Sequence, residues 1–135
     1  MAERKIRVHI GCWDYGARSY NNKLTFEGMV RRLGLGERFE FTNSHTRGYT
    51  GPFEGDHNEA DYLVGMDRGC AAYLNKARIK PLDESRIFAL DEWRNKWLEP
   101  KRLDEMKRRV QQRRVEIIRA ILKAEGIRLK RGRKA

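Results

Sequence analysis

Four short runs of apolar or alternating residues along the chain predict β-strands. The first, KIRVHI, is rich in β-branched side chains and stops at a glycine, and the second, RFEFTN, alternates between apolar and polar positions. The third and fourth are the apolar runs ADYLVGM and RIFAL. We therefore expect strands at residues 5–10, 38–43, 60–66 and 86–90.

Three further segments have the spacing of amphipathic helices. Residues 21–33 place their apolar side chains largely on one side, and Gly34 follows them, as is typical of a helix end. Asp67 is suited to cap a helix over residues 68–76, and apolar positions recur every three or four residues over 101–124. Because strands alternate with helices or long crossovers, the pattern predicts an α/β domain with a mostly parallel sheet and helices packed on its faces.

The length of 135 residues fits one domain with a core of its own. We expect that domain at residues 1–125 and a basic, flexible tail at residues 126–135. No stretch approaches the roughly 20 apolar residues of a membrane span, and the first residues lack the apolar run of a signal peptide. The sequence therefore predicts a cytoplasmic protein.

Positive charge is concentrated in the last quarter of the chain. Residues 101–135 hold 14 Lys or Arg against 4 Asp or Glu, a net charge of +10, whereas residues 1–100 have a net charge of +1. This asymmetry favours nucleic acid or another polyanion as a partner of the C-terminal helix and tail, and a merely solvated basic helix face is the alternative.

Cysteine and histidine are too sparse for a disulfide framework or a zinc site. The chain has only Cys12 and Cys70, and its three histidines show no paired metal-ligand spacing. We expect two free thiols and no metal ligands. His9 is expected to be a hydrogen-bonded core residue, and Cys70 a small buried side chain.

The segment GCWDYGARSY, residues 11–20, joins the first strand to the first helix, where ligands of open parallel sheets bind. Five residues separate Cys12 from Arg18. The N–H groups at a helix N-terminus favour a thiolate and, together with a planar guanidinium, hold a tetrahedral oxyanion. Ser19 offers a hydroxyl to the thiolate, and Gly16 gives the loop backbone freedom. On spacing alone, an ordinary turn carrying both residues is the alternative.

Two motifs resemble those of the low-molecular-weight protein tyrosine phosphatases. CWDYGARS, residues 12–19, is similar to the family's C-x5-R-S loop between a strand and a helix. ADYLVGMDR, residues 60–68, is similar to its apolar strand ending in a Met-Asp pair that opens a helix. The resemblance covers approximately residues 5–92 and implies a three-layer flavodoxin-like fold. Its four-stranded sheet would have the first and third strands adjacent, which would bring the loop beside Met66 and Asp67.

The resemblance also implies hydrolysis of a phosphorylated protein or a small phosphoester through a phosphocysteine. Cys12 would attack the phosphoryl group while Arg18 holds its oxygens, and no metal or organic cofactor would be needed. An acid after the fourth strand would protonate the leaving group and later activate water. Asp91 is the first candidate for this acid, with Glu92 and Glu99 as alternatives.

The other loop residues are expected to surround the substrate: Trp13, Asp14, Tyr15, Gly16, Ala17 and Ser19. Asp14 and Tyr15 replace the glycine and asparagine that are usual in the family, and Ala17 replaces a cysteine. Trp13 and Tyr15 would line a pocket for an aromatic phosphoester or pack at the loop edge. Asp67 is expected to be a structural cap rather than a catalytic group.

Two functions thus compete. One is a cysteine-dependent phosphatase, favoured because Cys12, Arg18 and Ser19 occur together, and a binding protein has no need of a thiol. The other is a non-catalytic protein that uses the same fold, and its basic C-terminal helix and tail, to bind phosphate groups or nucleic acid.

Overall fold

The computed structural model describes residues 4–12, 17–45, 57–91 and 99–129. Its strands and helices are β1 (Ile6–Cys12), α1 (Ala17–Arg32), β2 (Phe39–His45), β3 (Tyr62–Gly65), α2 (Arg68–Lys76), β4 (Ile87–Ala89) and α3 (Pro100–Ala124). Short 3-10 helices, Gly36–Arg38 and Glu84–Arg86, precede β2 and β4. Every predicted strand and helix is present, with ends that differ from the prediction by a few residues.

The four strands form one parallel sheet in the order β2-β1-β3-β4. The adjacency of β1 and β3 confirms the expected topology. After β1 the chain winds outward to β2, and it then returns to the other side of β1 to form β3. The carboxyl ends of β1 and β3 therefore meet at a topological switch point, where ligands of such sheets bind.

Helices cover both faces of the sheet, which confirms the α/β prediction. Alternate residues of β1, from Ile6 to Cys12, belong to the larger hydrophobic cluster, which also contains residues of α1 and α3. On the opposite face, Leu63 of β3 packs with Leu74 of α2 in a smaller cluster. Cys12 thus lies on the face covered by α1, at the end of a buried strand.

The end of α3 is tied to the sheet. The hydroxyl of Tyr62 donates a hydrogen bond to Glu125 Oε2 at 2.8 Å, and Ile127 and Leu129 pack against the larger cluster. The first residues of the segment assigned to the tail therefore contact the domain, whereas residues 130–135 lie outside the described part of the chain. The division at residues 125 and 126 stays a prediction. None of the helices in the described segments is long and apolar enough to cross a membrane.

His9 is a buried, hydrogen-bonded core residue, as predicted. One ring nitrogen, Nδ1, is hydrogen-bonded to Thr42 Oγ1 at 2.7 Å, and Nε2 to Ser44 Oγ at 2.6 Å. Burial, and to a smaller extent the charges of His57 and Arg78, lower the pKa of His9 to about 3. The folded protein therefore keeps this imidazole neutral in mildly acidic solution.

Acid is accordingly expected to destabilise the fold through His9. Because the pKa of His9 is lower in the folded than in the unfolded chain, only the unfolded chain gains a proton as the pH falls below the ordinary value of 6.5 towards 3. The free energy of unfolding should be about 2 kcal/mol smaller at about pH 5 than at about pH 7. Urea unfolding checks this, and His9→Gln, which keeps polar contacts but does not titrate, should remove most of the difference. An equal difference in the variant would contradict the assignment to His9.

Candidate active site

Cys12 and Ser19 lie together at the switch point. Cys12 is the last residue of β1, Ser19 lies in the first turn of α1, and both side chains are fully buried. A hydrogen bond joins Cys12 Sγ to Ser19 Oγ at 3.3 Å. From β2, the side-chain amide of Asn43 donates to the same hydroxyl at 3.4 Å. The serine that follows the arginine in the sequence motif is thus adjacent to the thiol.

Arg18 is the half-buried second residue of α1. Its charge acts on Cys70 of α2, whose thiol donates to the carbonyl of Gly11 at 3.3 Å. Burial chiefly raises the pKa of Cys70 to about 12, while the charge of Cys12 also raises it and that of Arg18 lowers it. Cys70 itself is buried, as predicted.

The middle of the loop falls outside the described residues. This applies to Trp13, Asp14, Tyr15 and Gly16, and to the side chain of Ala17. Their expected contacts with a substrate stay predictions.

Asp67 caps α2, as predicted. Its carboxylate accepts the backbone N–H of Cys70 at 2.7 Å, and its own backbone is extended. Because this bond satisfies one of the donors left free at a helix N-terminus, the residue has a structural role. Met66, which precedes Asp67, is fully buried, and its sulfur faces Asn22 of α1 at 3.5 Å. The Met-Asp pair therefore lies beside the first turns of α1, as the predicted topology requires.

Asp91, the first candidate for the general acid, follows β4 at the same edge of the sheet. Since β3 separates β4 from β1, the axes of those two strands lie about 10 Å apart. Asp91 is exposed and has a φ of 57°, a left-handed conformation that aspartate tolerates better than most residues. It borders a cleft between β4 and α3, where Arg113 Nε donates to the carbonyl of Ala89 at 2.9 Å.

The alternative acids are placed less favourably. Glu99 is exposed, and it is the residue before α3, where its side chain makes no capping hydrogen bond. Glu92 lies outside the described residues. Of the candidates in the described residues, Asp91 is the one near a strand end, two residues after β4.

Three polar residues that the sequence pattern did not single out form hydrogen bonds in or next to the first turn of α1. They are Asn43, which contacts Ser19, and the hydrogen-bonded pair Asn22 and Arg114. The sequence around an asparagine inside a helix or near a strand end does not indicate whether its side chain contacts another element or solvent. In the described segments, no group of three or more His, Cys, Asp or Glu side chains is arranged to hold a metal ion.

Comparison with known proteins finds similarity at the level of structure. No family model and no curated protein sequence matches the chain. A protein tyrosine phosphatase from Entamoeba histolytica, in a product-state mimic, superposes with a TM-score of 0.58 at 14% identity, covering 93% of this chain and 99% of that one. A second crystal form of a protein tyrosine phosphatase from Entamoeba histolytica, with Hepes in its active site, gives a TM-score of 0.56 at 14% identity, covering 90% and 99% of the two chains.

YfkJ from Bacillus subtilis is similar to the same degree. It superposes with a TM-score of 0.55 at 14% identity, over 91% of this chain and 98% of its own. At this identity the similarity is one of fold. The chain therefore has the flavodoxin-like fold of these proteins over nearly their whole length.

Proposed function

We propose that this protein is a divergent member of the low-molecular-weight protein tyrosine phosphatases that hydrolyses phosphomonoesters through a phosphocysteine. The observation that carries the proposal is the hydrogen bond between Cys12 and Ser19 at the switch point of the sheet. This thiol ends a buried strand and faces the first turn of a helix. Sheets of this kind bind anions at such a position, and the N–H groups of a helix N-terminus favour the thiolate form of a cysteine. Its substrate class is phosphotyrosine or a similar phosphorylated group.

The proposed reaction has two steps. The thiolate of Cys12 attacks phosphorus, and as the sulfur–phosphorus bond forms, the bond from phosphorus to the ester oxygen breaks. This oxygen takes the proton of Asp91 while Arg18 holds the phosphoryl oxygens. Water then attacks the phosphorus of the phosphocysteine and gives a proton to Asp91. The sulfur–phosphorus bond breaks, and phosphate and the thiolate of Cys12 are released. The hydroxyl of Ser19 donates a hydrogen bond to the departing thiolate. A reduced cysteine is needed throughout, which favours the cytoplasm as the compartment.

Turnover of a generic aryl phosphate tests the proposal. The purified wild-type protein, with no added metal, should release 4-nitrophenol from 4-nitrophenyl phosphate at mildly acidic to neutral pH. No release by protein that unfolds cooperatively on heating would overturn the proposal.

Asp91 is expected to act as the general acid. Asp91→Asn keeps the size of the side chain and its tolerance of a left-handed backbone, but it cannot supply a proton. We expect kcat for 4-nitrophenyl phosphate to fall about 100-fold. Glu99→Gln, which removes the acid before α3, is the matched control and should change kcat little. The reverse order of effects would assign the role to Glu99.

A second function is favoured by the exposed basic face of α3, and it does not exclude the first. Exposed along this helix are Lys101, Arg102, Lys107, Arg108, Arg109, Arg119 and Lys123. Such a face attracts a polyanion such as nucleic acid, with an affinity that falls steeply with salt.

Truncation of the tail tests nucleic-acid binding. Removing residues 130–135 deletes four basic side chains and leaves Ile127 and Leu129 on the core. If all four side chains contact phosphates, binding to a DNA duplex of arbitrary sequence should weaken, and the slope of log affinity against log salt should become shallower by about 4. Fluorescence anisotropy over a salt series measures both. Unchanged affinity and slope would contradict a role of the tail.

A further inference from the structure

Asn22 is a buried polar side chain at the contact between three elements. It lies on α1 and is only 2% exposed. Its Nδ2 donates to the carbonyl of Arg18 at 2.9 Å and faces Met66 Sδ at 3.5 Å. Its Oδ1 accepts from Arg114 Nε of α3 at 2.7 Å. One amide thus joins the start of α1 to the end of β3 and to the C-terminal helix.

Arg114 determines which way this amide faces. A guanidinium carries donors only, so the group of Asn22 that faces Arg114 has to be the oxygen. The nitrogen then faces the carbonyl of Arg18, whose oxygen can accept a second hydrogen bond. Arg114 is half-buried and is held in turn, because its Nη1 donates to Gln111 Oε1 at 2.8 Å on the same helix. A charge-assisted bond from a fixed guanidinium is both strong and directional.

We infer that Asn22 and Arg114 are positioning residues for the phosphate site, because they fix the backbone of Arg18 in the first turn of α1. Helix ends fray, and a second bond to a carbonyl of this turn, anchored on another helix, restrains it. The same turn carries Ser19, whose hydroxyl contacts the thiol of Cys12. The inference rests on the proposed function and assigns part of its geometry to the C-terminal helix.

Arg114→Met is the first test, because methionine keeps much of the apolar stem and removes the donor. We expect kcat/KM for 4-nitrophenyl phosphate to fall about 10-fold, with more of the loss in kcat than in KM, because misplacement of Arg18 affects the transition state most. Arg114→Lys, which can still donate to Asn22, should recover part of the loss. Arg31→Met removes the same charge from an exposed position in the last turn of α1, away from the first turn, and is the matched control.

Inorganic phosphate gives a readout that does not depend on turnover. A ligand that binds only the folded state raises Tm, so phosphate at constant ionic strength should raise the Tm of the wild-type protein and of Arg31→Met. The rise should be absent in Arg18→Ala and reduced in Arg114→Met. A loss of folding stability alone would lower Tm in the absence of phosphate but would leave the phosphate-induced rise unchanged.

A double variant tests whether Arg114 acts through Asn22. If it does, Asn22→Ala combined with Arg114→Met should lose no more of kcat/KM than the more affected single variant does, whereas independent residues give additive losses. Additive losses, or a phosphate-induced rise in Arg114→Met equal to that of the wild type, would overturn the inference.

The inference and the proposed function can fail separately. No turnover, together with a phosphate-induced rise that depends on Arg114, would overturn the phosphatase and support the positioning role. If the wild type turns over substrate and Arg114→Met does so equally fast, the phosphatase would be supported and the positioning role overturned. No phosphate-induced rise in the wild type would overturn the positioning role as well, because Arg18 would then hold no phosphate.

Discussion

Replacing Cys12 by serine is expected to lower the hydrolysis of 4-nitrophenyl phosphate by about 1,000-fold or more. The exchange of sulfur for oxygen hardly changes the size of this fully buried side chain, so the protein should still fold. A hydroxyl ionises far less readily than a thiol and attacks phosphorus poorly unless a base takes its proton. The first step of the proposed reaction would therefore stop, whereas phosphate binding by Arg18 would remain.

Cys70→Ser is the matched control for this change. Cys70 is also a buried free thiol at the carboxyl edge of the sheet, and a serine hydroxyl there can still donate to the carbonyl of Gly11. We expect its kcat/KM to stay within a few-fold of the wild-type value. Equal activity of Cys12→Ser and wild type, both freed of contaminating phosphatases, would show that the thiol is not the nucleophile.

The fold could be predicted from local signals because its strands are short and buried. The alternation in β1 places Ile6, Val8 and Ile10 on one face, and the same residues line the larger hydrophobic cluster. The order of the strands in the sheet cannot be predicted in this way, because no local pattern indicates which strands are neighbours. The adjacency of β1 and β3 is instead implied by the resemblance of two motifs, residues 12–19 and 60–68, to those of one family.

The hydrophobic pattern predicts a later start of α1 than the structure shows, and the reason is physical. The pattern placed the helix at residues 21–33, because residues 17–20 contain no apolar stripe, whereas the helix begins at Ala17. Ser19 is buried there against a thiol and an amide rather than against apolar side chains. Hydrophobic periodicity does not detect a helix turn that packs through polar contacts, and a binding site at a helix N-terminus produces such a turn.

The hydrogen bond between Arg114 of α3 and Asn22 of α1 could not be predicted from the sequence either. Arg114 is one of many basic residues on α3, and its spacing gives no sign that it faces α1 rather than solvent. Its contact with Asn22 joins residues 92 positions apart. Pairing of this kind depends on how two helices cross over the same sheet face, which only the assembled structure determines.

Replacing Gly65 by alanine is expected to destabilise the protein by about 3 kcal/mol. Gly65 ends β3, where α2 packs directly against the strand: a Cβ at this position would lie 2.7 Å from Ala71 Cα and 2.9 Å from Ala71 Cβ. These atoms belong to the helix backbone and to the first carbon of a side chain, so no rotamer change relieves the overlap. The helix would have to move away from the sheet, together with Asp67 at its N-terminus.

Gly28→Ala is the matched control for this destabilisation. Gly28 lies within α1, and a Cβ there would come no closer than 3.8 Å to Arg32 Nη1. Because alanine costs less backbone entropy than glycine inside a helix, this variant should be more stable than wild type by about 0.5–1 kcal/mol. Urea unfolding of the two variants should therefore shift in opposite directions from the wild-type midpoint. A midpoint of Gly65→Ala at or above that of the wild type would contradict the close approach of α2 to β3, on which the contact of Cys70 with Gly11, the residue before Cys12, depends.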